Sequence, residues 1–353
     1  MGDSAIRLPC AQVSGCALEF SSSVFSSKAF MEASIAARMA MGIDFFGGWT
    51  PSDIDLLRRY QQIPVEGARE GEVMDWLGIR THISHHAWVK IPENGRIDIL
   101  GLPVPSDMIH AETIEYIALV VAIERALEYD KGSFTVLELG ASYGPWVTAA
   151  GLLASRARFP KIHMRALEAS SESVPHIAAH AELNGLSNRA GIRIDPIHAA
   201  VHVSDEDVYF PRVNVSHDNG AQVSTVDKKL DYRGLSVAHD RVRGLSLGTI
   251  CRDLSEISYV HLDLQGAEEK LLADEPFLET LSTKVGTFFL ATQSRYIEGL
   301  ALRSLSQRGW VLVRERPTTY AYNDRTSDVN GWTLRDGAQL WLNPRFGKTH
   351  LNL

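Results

Sequence analysis

The chain contains few cysteines, with only Cys10, Cys16 and Cys251 among 353 residues. Three thiols cannot form a disulfide framework, so we expect a reducing compartment, and the cytoplasm is the predicted location. The sequence also lacks a basic leader followed by an apolar block and a cleavage site, and it has no sustained apolar run. We therefore expect neither a signal peptide nor a membrane span.

The sequence also lacks an excess of positive charge, since its formal net charge is -8. A chain of this charge has no general attraction for a polyanion, and nucleic acid is not an expected partner. Hydrophobic residues make up 45% of the chain, enough to bury a large core. The formation of a homo-oligomer is left open as an alternative.

The segment Thr135 to Trp146, TVLELGASYGPW, predicts a buried strand, a glycine turn and the start of a helix. Small residues in such a turn allow a ligand to lie against the backbone at the carboxyl edge of a parallel sheet. The turn lacks the G-x-G-x-x-G spacing of a dinucleotide loop, and the acidic Glu138 precedes it. A carboxylate here disfavours a pyrophosphate and suits a cationic ligand such as S-adenosylmethionine. A plain turn without a ligand is the alternative.

A second strand, Ile162 to Ala169, is predicted to end at Glu168, about 30 residues after Glu138. This is the length of one strand-helix-strand unit, so the two carboxylates are expected at neighbouring strand tips that face one crevice. By the logic of nucleoside-binding folds, Glu168 is the candidate acceptor for ribose hydroxyls.

The chain divides into three predicted regions: an irregular N-terminal segment over 1–40, a small accessory module over 41–109, and a main domain over 110–353 with an insertion at about 202–257. In the module we expect a helix capped by Ser52 and a hairpin around Glu93, Asn94 and Gly95. The module also carries His82, His85 and His86, but no cysteine or nearby carboxylate completes a tetrahedral zinc site, and we expect no metal there.

Strands and helices alternate through the main domain. Further strands are expected at IRIDPIHAAV, SYVHLDLQ, VGTFFLATQS, WVLVRE and GAQLWLNP. This alternation predicts an α/β fold with a doubly wound, mostly parallel sheet of seven strands.

Four segments of the chain resemble a known protein family. The segments VLELGASYGPW, ALEA, YVHLDLQGAEEKLL and ATQSRYIEGLALRSLSQRGW resemble the FkbM family of S-adenosylmethionine-dependent methyltransferases, within the class I Rossmann-like methyltransferases. The similarity spans about Ala111 to Phe346. Its most specific element is D-x-Q-G-A-E, Asp263 to Glu268. One departure is Gln293, which stands where relatives usually have a histidine, so no role of that histidine transfers to this chain.

The resemblance implies O-methylation of a hydroxyl on a sugar, a glycan or a glycosylated small molecule, with S-adenosylmethionine as cofactor. A base near the tip of the fourth strand would help such a reaction by roughly 10²-fold or more. His261 and Asp263 lie on that strand, and either both or only the tip residue can reach the crevice; Asp263 is the first candidate. The expected cofactor-binding residues are Glu138, Gly140, Ala141, Ser142, Tyr143, Gly144, Glu168, Ala169, Ala200, Asp263 and Gln265.

From the sequence alone, three alternatives to this interpretation remain. A catalytically silent module would bind S-adenosylmethionine without an acceptor pocket. A nicotinamide-dependent oxidoreductase would use the same fold, although the missing glycine spacing disfavours it. A divalent metal at Asp263 is conceivable, but the sequence offers no second ligand, and the predicted site contains no metal.

Overall fold

The computed structural model describes residues 47–62, 66–86, 89–106, 110–129, 132–212, 220–227, 229–231 and 234–349. The segment 1–40, which the sequence predicts to be irregular, lies outside the described residues, as do Cys10 and Cys16.

The strands of the described part, numbered in chain order, are β1 (Glu72–Met74), β2 (Arg80–His82), β3 (Ile97–Asp98), β4 (Phe134–Leu139), β5 (Ile162–Glu168), β6 (Ile192–His198), β7 (Ala200–Val201), β8 (Asp207–Pro211), β9 (His239–Leu245), β10 (Ile257–Leu262), β11 (Val285–Thr292), β12 (Val311–Arg316), β13 (Thr319–Tyr320), β14 (Thr333–Arg335) and β15 (Gly337–Leu342). The helices are α1 (Pro51–Tyr60), α2 (Thr113–Tyr129), α3 (Pro145–Arg156), α4 (Val174–Leu183), α5 (Leu247–Ile250), α6 (Glu268–Ala273), α7 (Glu275–Lys284) and α8 (Arg295–Ser306).

The main sheet has seven strands in the order β12-β15-β11-β10-β4-β5-β6. Neighbouring strands from β11 to β6 are parallel, whereas β15 runs antiparallel between β11 and β12. The chain winds outward from β4 to β6 and then returns to β10 on the other side of β4. The predicted fold, a doubly wound sheet of the class I methyltransferase type, is confirmed.

Alternating side chains of the strands fill two cores. Val136 of β4 packs with α2 and α3 on one face of the sheet, while Leu137 packs with α6, α7 and α8 on the other. Because β4 is buried on both faces, its sequence is almost continuously apolar, which is why the pattern identifies it so readily. The strand order reverses between β4 and β10, and in such folds the ligand crevice lies at that point.

The accessory module packs directly on the main domain. Its buried residues Leu57, Trp76 and Leu77 belong to the same apolar cluster as α2 and α3. Asp53 is completely buried and accepts two hydrogen bonds of 2.7 Å from the guanidinium of Arg314 in β12. The described part of the module therefore shares a core with the sheet.

Two local predictions in the module are wrong. The cap of α1 is Thr50, which forms a capping box with Asp53, because Pro51 begins the helix one residue before the predicted cap at Ser52. A turn does form at Gly95, where its amide donates to the carbonyl of Pro92. No hairpin follows from it in the described residues, since β3 pairs in parallel with β1.

The predicted insertion forms a small separate sheet. β9 pairs in parallel with β7 and antiparallel with β8, and Tyr209 of β8 also bridges Ser224. This sheet stands at the carboxyl edge of β6, so its residues reach the crevice of the main sheet.

The shared core leads to a prediction about unfolding. Leu57→Ala should lower the free energy of unfolding by about 2–5 kcal/mol, because it opens a cavity in a cluster that includes α2. Chemical denaturation followed by circular dichroism should still give a single transition. Leu334→Ala, at a side chain that is 71% exposed, should change the free energy by less than about 0.5 kcal/mol. Two separate transitions in the Leu57 variant would show that the module folds independently.

Candidate functional site

A cleft of about 620 Å³, including the solvent at its mouth, lies where the strand order reverses. Its lining residues come from the loops after β4, β5, β6 and β10 and from the insertion. They are Gly140, Ser142, Leu167, Glu168, Ala169, Ser170, Ser173, Ala199, Ala200, Val201, Phe210, Ala221, Val223, Asp263, Leu264 and Gln265.

Glu168, at the tip of β5, lines this cleft. Its Oε2 accepts a hydrogen bond from the amide of Ser142, and its Oε1 accepts one from the amide of Ser170, both at 2.6 Å. Burial raises the pKa of this carboxyl, and the hydrogen bonds from backbone amides oppose the rise. A carboxylate has about four acceptor positions, so two oxygens that each hold one amide can still accept hydrogen bonds from ligand hydroxyls.

Glu138 has a different position from the one predicted. Its carboxylate accepts hydrogen bonds from the amides of Trp146 and Val147, at 3.2 and 2.8 Å, in the first turn of α3. It is 1% exposed and does not belong to the cleft lining. An acid at a helix N-terminus satisfies donors that lack partners within the helix. The expectation that Glu138 and Glu168 face one crevice is therefore wrong for Glu138.

The glycine turn is shaped by the neighbouring strand. Gly140 has a φ of +84°, and a Cβ added there would lie 2.0 Å from the backbone carbonyl oxygen of Asp263. The missing side chain thus makes room for the loop after β10 rather than for a ligand, which corrects the predicted reason for this glycine. Ser142 also has a positive φ, of 47°, and points its amide at Glu168.

The other residues of the turn face away from the cleft. Ala141 is fully buried in the core, and Gly144 packs against Ile177 of α4. The ring of Tyr143 stacks on His85 of the accessory module, with ring centroids 4.3 Å apart. The structure therefore brings Gly140 and Ser142 of the predicted set to the cleft, but not these three residues.

The D-x-Q-G-A-E element folds into a tight loop that presents Asp263. Gln265 and Gly266 have φ angles of +57° and +104°, which reverse the chain after β10. Glu268 stabilises the reversal, because its carboxylate accepts hydrogen bonds from the amides of Leu264 and Gly266. The amide of Asp263 in turn donates to the carbonyl of Leu139 at 3.1 Å. The loop is thus fixed against the end of β4.

Three carboxyl groups act on Asp263 from neighbouring elements: Glu115 of α2, Glu268 of α6 and Asp336 before β15. Burial raises the pKa of Asp263, and Glu115 raises it further. Burial likewise raises the pKa of Glu115 to about 7, that of Glu268 to about 8 and that of Asp336 to about 7. Several buried carboxyls therefore meet around Asp263, and their raised pKa values keep them partly protonated near neutral pH. A cation bound beside them would be stabilised as they ionise.

His261 lies beneath the cleft rather than in it. Its ring is stacked between Trp146 and Phe289, with centroid distances of 5.0 and 4.6 Å, and it is 2% exposed. Its Nε2 is 3.3 Å from Oε1 of Glu115, and burial lowers its pKa to about 3. Of the two residues predicted on this strand, only Asp263 lines the cleft.

The remaining predicted residues, Ala169, Ala200 and Gln265, line the cleft as well. Sequence reasoning missed the wall that the insertion provides through Phe210, Ala221 and Val223, because no motif marks them. It also missed Glu115, which raises the pKa of Asp263, and it gave no sign that Gln293 would contact Asp263, because both relations arise only in the tertiary fold. Within the described ranges, no cluster of three or more histidine, cysteine, aspartate or glutamate side chains has an arrangement suited to a metal ion. Likewise, no described helix is both long enough and apolar enough to span a bilayer.

Comparison with known proteins gives one relative in sequence. A protein from Jannaschia sp. (strain CCS1), named "Putative methyltransferase", is 24% identical to this chain over 256 residues, which cover 71% of this chain and 86% of that protein. No family model matches the chain, so the resemblance to the FkbM family stays a prediction.

Two solved structures illustrate the likeness in fold. An O-methyltransferase from Bacillus cereus in complex with SAH is 10% identical with a TM-score of 0.32, covering 68% of this chain and 94% of its own. A precorrin-6y C5,15-methyltransferase from Geobacter metallireducens GS-15 is 8% identical with a TM-score of 0.32, covering 67% and 88%. Scores of this size carry no functional inference.

The buried carboxyls predict how stability depends on pH. Burial raises the pKa of Glu138 from 4.5 to about 8, so the folded state retains a proton that the unfolded chain has released. Its contribution is therefore fully present below about pH 4.5 and is lost as the pH rises to 8, at up to about 1.4 kcal/mol per pH unit. Glu138→Gln should make the fall in melting temperature between pH 5 and 8 shallower. Glu172→Gln, at an exposed carboxylate, should leave the wild-type slope, and an unchanged slope in the Glu138 variant would refute the assignment.

Proposed function

We propose that this chain is an S-adenosylmethionine-dependent O-methyltransferase that binds its cofactor in the cleft between the tips of β4, β5 and β10. The observation that carries the proposal is the group of buried carboxyls around Asp263, in a cleft that Glu168 also lines. A sulfonium and an ammonium are favoured in such surroundings, whereas a pyrophosphate is repelled.

The lining residues suit the parts of S-adenosylmethionine. Glu168 retains acceptor positions for the two ribose hydroxyls, in keeping with the role of acids at this point of nucleoside-binding folds. Beside it, Ala169, Ala200, Val201 and Phe210 provide an apolar slot for an adenine ring. Glu138 supports the site indirectly, because it fixes the first turn of the helix that follows the glycine turn.

The cofactor supplies a methyl group activated by its sulfonium, and the chain must orient an acceptor oxygen about 3 Å from that carbon. In the proposed step the acceptor oxygen bonds to the methyl carbon as the carbon–sulfur bond breaks. The hydroxyl proton passes to Asp263. The raised pKa of Asp263 suits a base that must gain this proton, since a strongly acidic carboxylate would not hold it.

We further infer that the acceptor is a hydroxyl of a sugar or of a glycosylated compound. An aromatic surface leads to the loop of Asp263: Tyr322 is 78% exposed and lies edge-on to Trp332, with ring centroids 5.2 Å apart. The same segment places the amide of Asn330 against Gly266, and the hydroxyl of Thr333 donates to the carbonyl of Gln293. Aromatic faces beside amides and carboxylates match the apolar face and the hydroxyls of a sugar ring.

The cofactor assignment is tested by calorimetric titration with S-adenosylmethionine. Wild-type protein should bind, and Glu168→Ala should weaken binding by about 10-fold or more, because the ribose hydroxyls lose a charged acceptor. Glu172→Ala, which removes an exposed carboxylate four residues away, is the matched control and should bind as wild type. Titration with NADH should give no heat of binding. Saturable NADH binding without S-adenosylmethionine binding would instead support the oxidoreductase alternative.

The role of Asp263 is tested with Asp263→Asn. The amide has nearly the same shape but cannot take a proton, so cofactor affinity should persist while turnover falls by roughly 10²-fold or more. Methyl transfer to a panel of sugar acceptors should be measured across pH. Loss of a base removes the acid limb of the rate profile, whereas a structural defect lowers the whole profile evenly. Wild-type rates at every pH would eliminate Asp263 as the base.

A further inference from the structure

Gln293 follows directly after β11 and reaches Asp263 through its side chain. Its Nε2 donates to Oδ1 of Asp263 at 3.1 Å, and Nε2 of Gln265 donates to the same oxygen at 2.9 Å. Gln293 is 1% exposed, so this amide is fixed within the protein. Among the described residues, both side-chain hydrogen bonds to Asp263 thus converge on Oδ1.

The other half of the Gln293 amide has an unusual environment. Its Oε1 is buried and has no hydrogen-bond partner among the described residues. The orientation of the amide is set by Asp263, because the flipped amide would place Oε1 against a carboxylate oxygen. A buried acceptor without a partner costs stability, typically about 1–3 kcal/mol. An apolar side chain at this position would avoid this cost. The presence of an amide is therefore explained by the hydrogen bond that its Nε2 donates to Asp263.

We propose that Gln293 is a positioning residue for Asp263: with Gln265 it occupies Oδ1 and thereby directs Oδ2 toward the acceptor. The inference rests on the proposed function, in which Asp263 receives the acceptor proton. Without Gln293, the carboxylate would keep only the side-chain and backbone amide donors of Gln265, which lie in its own loop. A carboxylate held from one side can rotate more freely about its terminal torsion, which has a broad energy minimum. Two donors from separate elements, the loop after β10 and the end of β11, hold it in one orientation.

The same two amides oppose the electrostatic surroundings of Asp263. Burial favours its protonated form, as do Glu115 from α2, Glu268 from α6 and Asp336 from the segment before β15. His261 in β10 acts in the opposite direction only where its imidazole is charged, and burial lowers its pKa to about 3. No Lys or Arg among the described residues forms an ion pair with Asp263. Hydrogen bonds to the charged form of a carboxylate lower its pKa, so the amides keep Asp263 able to ionise.

The test uses the protein without any ligand. Aspartate carboxyl carbons are isotope-labelled and titrated by NMR, and Asp263→Asn identifies the signal of interest by its loss. Gln293→Met should raise the pKa of Asp263 by about one pH unit, because one donor to the charged form is removed. The melting temperature should stay the same or rise, since the partnerless Oε1 also disappears. Gln293→His, which keeps an N–H donor, should return the pKa to the wild-type value or below it.

The matched control is Gln339→Met. Gln339 is another fully buried amide, and its Nε2 donates to a carboxylate oxygen of Glu315 at 2.9 Å. Its loss should leave the signal of Asp263 unchanged. If Gln293→Met does not fold, Gln293→Leu provides the same test.

An unchanged pKa of Asp263 in a folded Gln293 variant would overturn the proposal, as would an equal rise in the Gln339 variant. A marked drop in melting temperature with no pKa change would assign Gln293 a purely structural role. These outcomes are separate from a failure of the proposed function, which would appear as a lack of S-adenosylmethionine binding by the wild-type protein.

Discussion

The site depends on one close backbone approach, between Gly140 at the end of β4 and Asp263 after β10. A Cβ at Gly140 would lie 2.0 Å from the carbonyl oxygen of Asp263, so any other residue would force the two loops apart. The contact occurs where the strand order reverses, at the one place in a doubly wound sheet where two adjacent loops diverge. This contact fixes the position of Asp263 beside the cleft. The turn that contains Gly140 also fixes Glu168, because it places the amide of Ser142 where it donates a hydrogen bond to the Glu168 carboxylate.

Backbone amides hold several of the acidic side chains in and around this site. Glu138 accepts from the start of α3, Glu168 accepts from two loops, and Glu268 accepts from the loop of Asp263. Each pairing satisfies donors that the chain reversals leave without partners, and it does so without introducing a lysine or an arginine. The cleft consequently keeps its acidic character, and that character makes it suitable for a cationic cofactor.

Much of the fold could be predicted from the sequence, because β4, β10 and β11 are buried on both faces and are largely apolar. The candidate site was only partly predictable. Glu138 and Glu168 both lie near the ends of their strands, but the register aligns Glu138 with Ala166, two residues before Glu168. Glu138 caps a helix, whereas Glu168 lines the cleft. That difference depends on which amides lie nearest each carboxylate, and a single sequence does not contain this information. The same limit applies to Gln293, whose contact with Asp263 spans 30 positions of the chain.

The insertion has a separate consequence for specificity. Phe210 lies in β8 of its small sheet, and Val223 directly precedes the bridge at Ser224; both line the cleft and pack beside Ala200 of β7. The strand tips of β4, β5 and β10 are fixed by the hydrogen bonding of the main sheet, so they can vary little without loss of the fold. The insertion and the aromatic segment around Trp332 are free of that constraint, because their residues take no part in the seven-stranded sheet. Selection of the acceptor is therefore expected to reside in these two segments, while under the proposed function the main sheet would provide the elements that bind the cofactor and accept the proton.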